Sequence, residues 1–256
     1  MREFIAFMKK EIIEQMRSSK VMILLILSVM FGVMNPAVAK LTPMLLEMLS
    51  EEMAESGMVI TLAEITAMDS WVQFYKNIPM ALIVFVLVEG GILCNEYKSC
   101  ALVLALTRGI ARYKVVLSKT VTLLSLWTAY YFLCFGITYA YNAYYWDNSV
   151  AESLAFSVVV WWLFGVFVIA LTVMLSVVFT SVSAVYVGVG ASVFAMYLAS
   201  LIPKFAKYMP IYLTDGNSLI YGALTPNDYY AALAITCALS VILFLAAVPV
   251  FNKKQL

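Results

Sequence analysis

The sequence predicts an all-α, polytopic membrane protein with six transmembrane helices and an N-terminal interfacial amphipathic helix. Three observations predict it. Of 256 residues, 64% are hydrophobic and 12% charged, with a mean hydropathy of +0.95, more apolar surface than a water-soluble fold can cover. The apolar residues gather into runs near the roughly twenty residues that a helical crossing requires. Charged residues collect between those runs. The economical division is a leader, residues 1–20, followed by one membrane domain, residues 21–256.

In the leader, Phe4, Ile5, Met8, Ile12 and Met16 recur at helical spacing, while Lys9, Lys10, Glu14 and Arg17 occupy much of the remaining surface. That pattern predicts a helix lying along the membrane surface. The alternative is a solvated charged segment without a partner. Six spans follow: Val21 to Val38, Ile78 to Cys94, Val115 to Tyr141, Leu154 to Thr180, Ala184 to Ile202 and Tyr230 to Phe251. The third and fourth are long enough to tilt or to project beyond the bilayer. Ala37, Val38 and Ala39 after an apolar run have the look of a signal-peptide cleavage site, but the acids Glu3, Glu11 and Glu14 upstream argue for an uncleaved first span.

Between the first two spans lies the largest segment outside the membrane, residues 40–77. Thr42 and Pro43 suggest an N-cap and first helical position, and Thr61 with Glu64 has capping-box spacing. Two short amphipathic helices are expected, the first with an apolar face of Leu45, Leu46, Met48, Leu49 and Met53. Pro203 to Asp228, with Pro210, Asp215, Gly216, Asn217, Pro226 and Asn227, reads as a turn-rich loop.

Lysine and arginine set the orientation. Arg2, Lys9, Lys10, Arg17, Lys20, Lys98, Arg108, Arg112, Lys114, Lys119, Lys253 and Lys254 share one side, and only Lys40, Lys76, Lys204 and Lys207 the other. The positive-inside rule then places both termini of a multi-pass membrane protein in the cytoplasm. Acidic Glu47, Glu51, Glu52, Glu55, Glu64 and Asp69 fall outside, as do the interfacial rings Tyr139, Tyr141, Tyr144, Tyr145 and Trp146.

A formal net charge of +1 gives no field for nucleic acid. Cys94, Cys100, Cys134 and Cys237 fall in or beside apolar runs, so no disulfide is expected. The absence of histidine removes most zinc sites, His-dependent nucleophiles and imidazole relays.

The most specific stretch begins at the inner end of the second span. Glu96 and Tyr97 leave the helix; Leu102, Leu104 and Leu106 follow; then come Thr107, Arg108, Gly109, Arg112 and Lys119. This arrangement resembles the permease subunits of the type 2 ABC-transporter family, with an acid and a bulky residue, a leucine-rich short helix, a threonine, a turn, an arginine and a basic residue on the next span. Ser99 and Cys100 stand where that family often has Gly-Thr, and Gly109 where proline is common; glycine still permits a turn. The leader, six spans and large first outer segment extend the resemblance along the chain. Among its members the chain looks most like bacterial exporters of antimicrobial or toxin peptides.

The resemblance implies that residues 96–114 couple the chain to a separate ATPase, through Glu96, Tyr97, Thr107, Arg108, Gly109, Arg112 and Lys119. It also implies a second permease copy or paralogue, with ATP and magnesium held by the ATPase. A topological role for Arg108, Arg112 and Lys114 with anionic headgroups is compatible with this. The sequence contains no Gly-x-x-x-x-Gly-Lys-Ser/Thr run, so ATP hydrolysis is not expected of this chain. Abundant Met, Phe and Tyr suit an amphipathic cargo, possible peptides included.

Two features stand apart from the motif. Glu89, followed by Gly90 and Gly91, is the one acid far from the end of its apolar run, and a carboxylate there is expected to face a translocation path or a buried partner. Gly188 and Gly190 with Ala191, Ala195 and Ala199 form a thin helix face suited to close packing, within the chain or between subunits. A secondary transporter or channel is the alternative class, weakened by few intramembrane charges and no visible inverted repeat. A membrane enzyme would need a nucleophile cluster or metal ligands that the sequence does not offer.

Overall fold

The computed structural model describes residues 2–54, 65–98, 107, 109 and 111–254. Helix α1 (Arg2–Arg17) meets α2 (Ser19–Ala54) at a bend, where the Ser18 hydroxyl donates to the Gln15 carbonyl at 2.8 Å. After it come α3 (Ala67–Glu89), α4 (Ile92–Lys98), α5 (Arg112–Tyr145), a 3-10 turn at Asn148–Val150, α6 (Leu154–Val178) and α7 (Val182–Ser200). The short α8 (Pro203–Ala206), a second 3-10 turn (Pro210–Thr214), α9 (Gly216–Ile220) and α10 (Pro226–Lys253) complete the order, with no strand among the described residues. Six described helical segments are long and apolar enough to cross a membrane. The chain is an all-α multi-pass membrane protein.

The expected helix start at Thr42 and Pro43 does not occur. Helix α2 runs unbroken through Pro36 and Pro43. A proline leaves the carbonyl four residues earlier without its helical donor, and at Pro36 a neighbouring span supplies the replacement. Thr138 of α5 donates its hydroxyl to the Gly32 carbonyl at 3.0 Å. The same hydroxyl accepts from Asn35 at 3.0 Å, and Asn35 accepts from Asn77 at 2.8 Å, so one polar chain joins α2, α3 and α5 inside the apolar bundle. The Thr61 and Glu64 pair lies outside the described residues. The capping box instead forms at Thr66, whose hydroxyl accepts from Met68 while Asp69 accepts from the Thr66 amide.

Helices α3, α5 and α6 form the core with α2 and α10 packed around them, whereas α7 is peripheral and buries only Val185 and Val189. Rings fill the centre: Trp71, Phe74, Trp127, Tyr131 and Trp161 are all buried. Tyr131 donates to the Val158 carbonyl at 2.9 Å and Trp127 to the Trp162 carbonyl at 3.2 Å, satisfying polar atoms that burial would otherwise strand. On α7, Gly190, Ala191 and Ala195 are exposed.

Residues 203–228 do more than turn. Leu213, Leu219 and Ile220 are fully buried, Trp161 donates to the Thr214 carbonyl at 3.0 Å, and Tyr229 donates to the Asp215 carbonyl at 2.7 Å. This segment caps the end of the bundle away from the termini. Thr225 and Asp228 box the start of α10, with Pro226 in its first turn.

Candidate functional site

At the termini-bearing end, the leader turns its polar side inward. Phe7, Glu11 and Gln15, four residues apart, are buried, whereas Ile12, Ile13 and Met16 are exposed. The outward apolar face is what an interfacial helix offers to lipid. The inward polar stripe meets three spans.

Lys119 of α5 is the centre. Its side chain is 2% exposed, and its ammonium bonds both Glu11 of α1 and Glu96 of α4, the latter at 2.6 Å. Lys10 completes an alternating array, with its ammonium 2.7 Å from Glu14, 3.1 Å from Glu11 and 3.6 Å from Glu96. Burial opposes the charge of Lys10, yet bonds to Glu14 and Glu11 and the field of Glu96 hold its affinity for a proton above the ordinary lysine value. Glu14 is held below the usual carboxylate range, first by the bond from Lys10, against its own partial burial. Carboxylate oxygens of Glu11, Glu14 and Glu96 lie within 4.8 Å of one another, a spacing that would suit a metal ion. The Lys10 ammonium already supplies a cation among them. A cavity of about 260 Å³ opens beside this array, bounded by Glu11, Gln15, Lys20, Asn95 and Glu96.

One turn into the bundle, Glu89 ends α3 and is fully buried. Its Oε2 accepts from Gln15 at 3.1 Å and lies 3.5 Å from the Lys20 ammonium. Glu89 thus reaches the leader and the α1–α2 elbow. The break after it has a packing reason: a Cβ on Gly90 would come within 2.9 Å of the Tyr186 ring and 2.5 Å of the Val86 carbonyl.

Tyr97 and Arg112 belong to a second cluster. Arg112 donates to the carbonyls of Phe251, Asn252 and Lys254 at 3.1, 3.2 and 2.7 Å, capping the C-terminal end of α10. Lys254 passes the pattern on, donating to the Val177 carbonyl at 2.6 Å at the end of α6, with its ammonium 4.3 Å from the Tyr97 ring centroid. Cations at helix C-termini satisfy orphan carbonyls and oppose the negative end of the helix dipole. Arg112→Gln should therefore free the last turn of α10, at a cost of about 1.5 to 3 kcal/mol for lost charge-assisted bonds. Faster amide exchange confined to residues 248–254 is the expected reading; unchanged exchange there would remove this role.

Of the other motif residues, Thr107 and Gly109 are exposed, and Gly109 has a φ of 85°, the left-handed conformation that glycine accepts without penalty. Arg108 and the leucine-rich residues 99–106 lie outside the described residues. The motif residues are thus divided: Glu96 and Lys119 join Glu89 around the leader, while Tyr97 and Arg112 join the C-terminal segment.

Sequence reasoning missed Glu11, Gln15, Lys10, Lys20 and Lys254. Phe7, Glu11 and Gln15 are spaced as one helix face, and that spacing was the available signal. A separate apolar cavity of about 480 Å³ lies between α3, α6 and α7, lined by Leu82, Val86, Phe164, Val168, Val189 and Val193 among others. Compared with known protein families, with curated proteins and with solved structures, the chain matches none in any of the three.

Proposed function

We propose that this chain is the membrane-spanning permease subunit of an ATP-driven exporter, whose ATP and magnesium are bound by a separate ATPase subunit. The observation that carries this reading is the buried Glu11–Lys119–Glu96 array. It fastens a surface helix, the start of one span and the end of another into a single charged unit. A soluble partner pressing on the leader or on the loop before α5 would move both spans together, because drawing either carboxylate away from Lys119 separates buried opposite charges, which is costly. In this reading the termini-bearing end faces the cytoplasm of a bacterial cell, two permeases associate, and the cargo is amphipathic or hydrophobic, peptides included. The uncharged cavity between α3, α6 and α7 supports that cargo class, since sugars and hydrated ions would find few polar partners there.

The purified chain should show no ATP turnover, and turnover should appear, and be altered by cargo, once a co-purifying ATPase is restored. ATP hydrolysis by the lone chain, or cargo movement driven by an ion gradient without ATP, would overturn the proposal.

A further inference from the structure

We propose that Glu89 is a proton-binding site whose charge state decides whether Lys20, at the elbow between α1 and α2, stays drawn against the bundle. The inference is independent of the exporter reading.

Glu89 is fully buried, and its two oxygens are unequal. Oε2 takes both the Gln15 hydrogen bond and the Lys20 charge, whereas Oε1 is buried with no hydrogen-bond partner among the described residues. A buried carboxylate with one oxygen lacking a hydrogen-bond partner is costly, and a proton there removes the charge.

The groups facing Glu89 come from several elements. Gln15 of α1 and Lys20 of α2 touch it, and the charge of Lys119 on α5 reaches it. Tyr186 of α7 is near, but its hydroxyl is committed to the Leu87 carbonyl at 2.6 Å. Lys119 is itself shared between Glu11 and Glu96. Across the cluster, the carboxylates of Glu11, Glu14, Glu89 and Glu96 lie among the ammonium groups of Lys10, Lys20 and Lys119. The ion pair of Glu89 is with the partly exposed Lys20.

The two charge states differ in one contact. A proton on Oε1 leaves Oε2 able to accept from Gln15, so the leader stays docked. It abolishes the attraction for Lys20, whose side chain is one-third exposed and can turn to water or headgroups. The elbow is thereby released while the helix above it is held.

The test uses the full chain in lipid vesicles and infrared spectroscopy across about pH 4 to 10, a range that spans carboxyl groups from ordinary to strongly perturbed. One protonated-carboxyl band, separate from those of the chain's other acids, should titrate in the wild type and be missing in Glu89→Gln. Lys20→Met should move its midpoint up by about one pH unit or more, the effect of removing a nearby opposite charge. At a pH where the wild-type band is absent, amide exchange over residues 17–22 should be faster in Glu89→Gln than in wild type, and at a pH where the band is full the two should match. Loss of no band in Glu89→Gln, a band that never titrates, or an unmoved midpoint in Lys20→Met would each overturn the proposal.

Discussion

Lys119→Met should lower the stability of the folded chain by about 3 to 5 kcal/mol, the range for removing one partner of a buried ion pair. The loss comes less from the attraction removed than from what remains. Glu11 and Glu96 would face each other at the same site, both buried, with the partly exposed Lys10 shared between them. Equilibrium unfolding in detergent would measure the loss. The control is Lys119→Met combined with Glu11→Gln and Glu96→Gln, which removes the charges together and should recover most of the stability, since a neutral buried cluster lacks the uncompensated carboxylates. A single variant as stable as wild type would show that the array does not hold the leader against the spans.

That array shows how far the sequence could be read. Apolar runs and basic ends made the six spans and the surface helix legible, because lipid forces every crossing segment to satisfy its own backbone. The ends of elements were less legible. Thr42 and Pro43 carry the marks of a helix start, yet α2 continues through them. At Pro36 the compensating hydroxyl comes from Thr138, about a hundred residues away in sequence, which no local pattern can announce.

The candidate site was legible in part of its membership and not in its grouping. Glu96, Lys119, Tyr97, Arg112 and Glu89 stand out as charged or bulky residues at the margins of apolar runs. Which of them meet depends on the rotation of each helix about its axis, a tertiary quantity. The leader makes the point most clearly. Its apolar stripe suggests that Phe4, Ile5, Met8, Ile12 and Met16 are the side that matters, because in water such a stripe would face a core. At a membrane surface the apolar side can face lipid, and the polar stripe of Glu11 and Gln15 is free to turn toward the protein's own buried charges.

Gly165→Ala should be the most damaging single methyl addition in the core of the spans. The sequence draws attention to Gly188 and Gly190, but a Cβ on Gly190 would meet nothing within 4 Å, and one on Gly188 would come no nearer than 3.1 Å, to the flexible end of Leu175. At Gly165 the new carbon would lie 2.2 Å from Cζ2 and 2.3 Å from Cε2 of Trp127. That indole is fully buried, bonded through its ring nitrogen to the Trp162 carbonyl and packed against Phe85, Tyr130 and Tyr131. It cannot retreat without giving up the hydrogen bond and the ring contacts together. Overpacking of this kind costs about 1 to 3 kcal/mol, and a stranded indole donor adds about 1 to 3 kcal/mol more. Unfolding of Gly165→Ala in detergent should show a loss of that size. In a Trp127→Phe background, where the overlapping indole atoms are gone, the same methyl should cost far less. An equal cost in both backgrounds would mean that Gly165 is required for some reason other than the indole lying across α6.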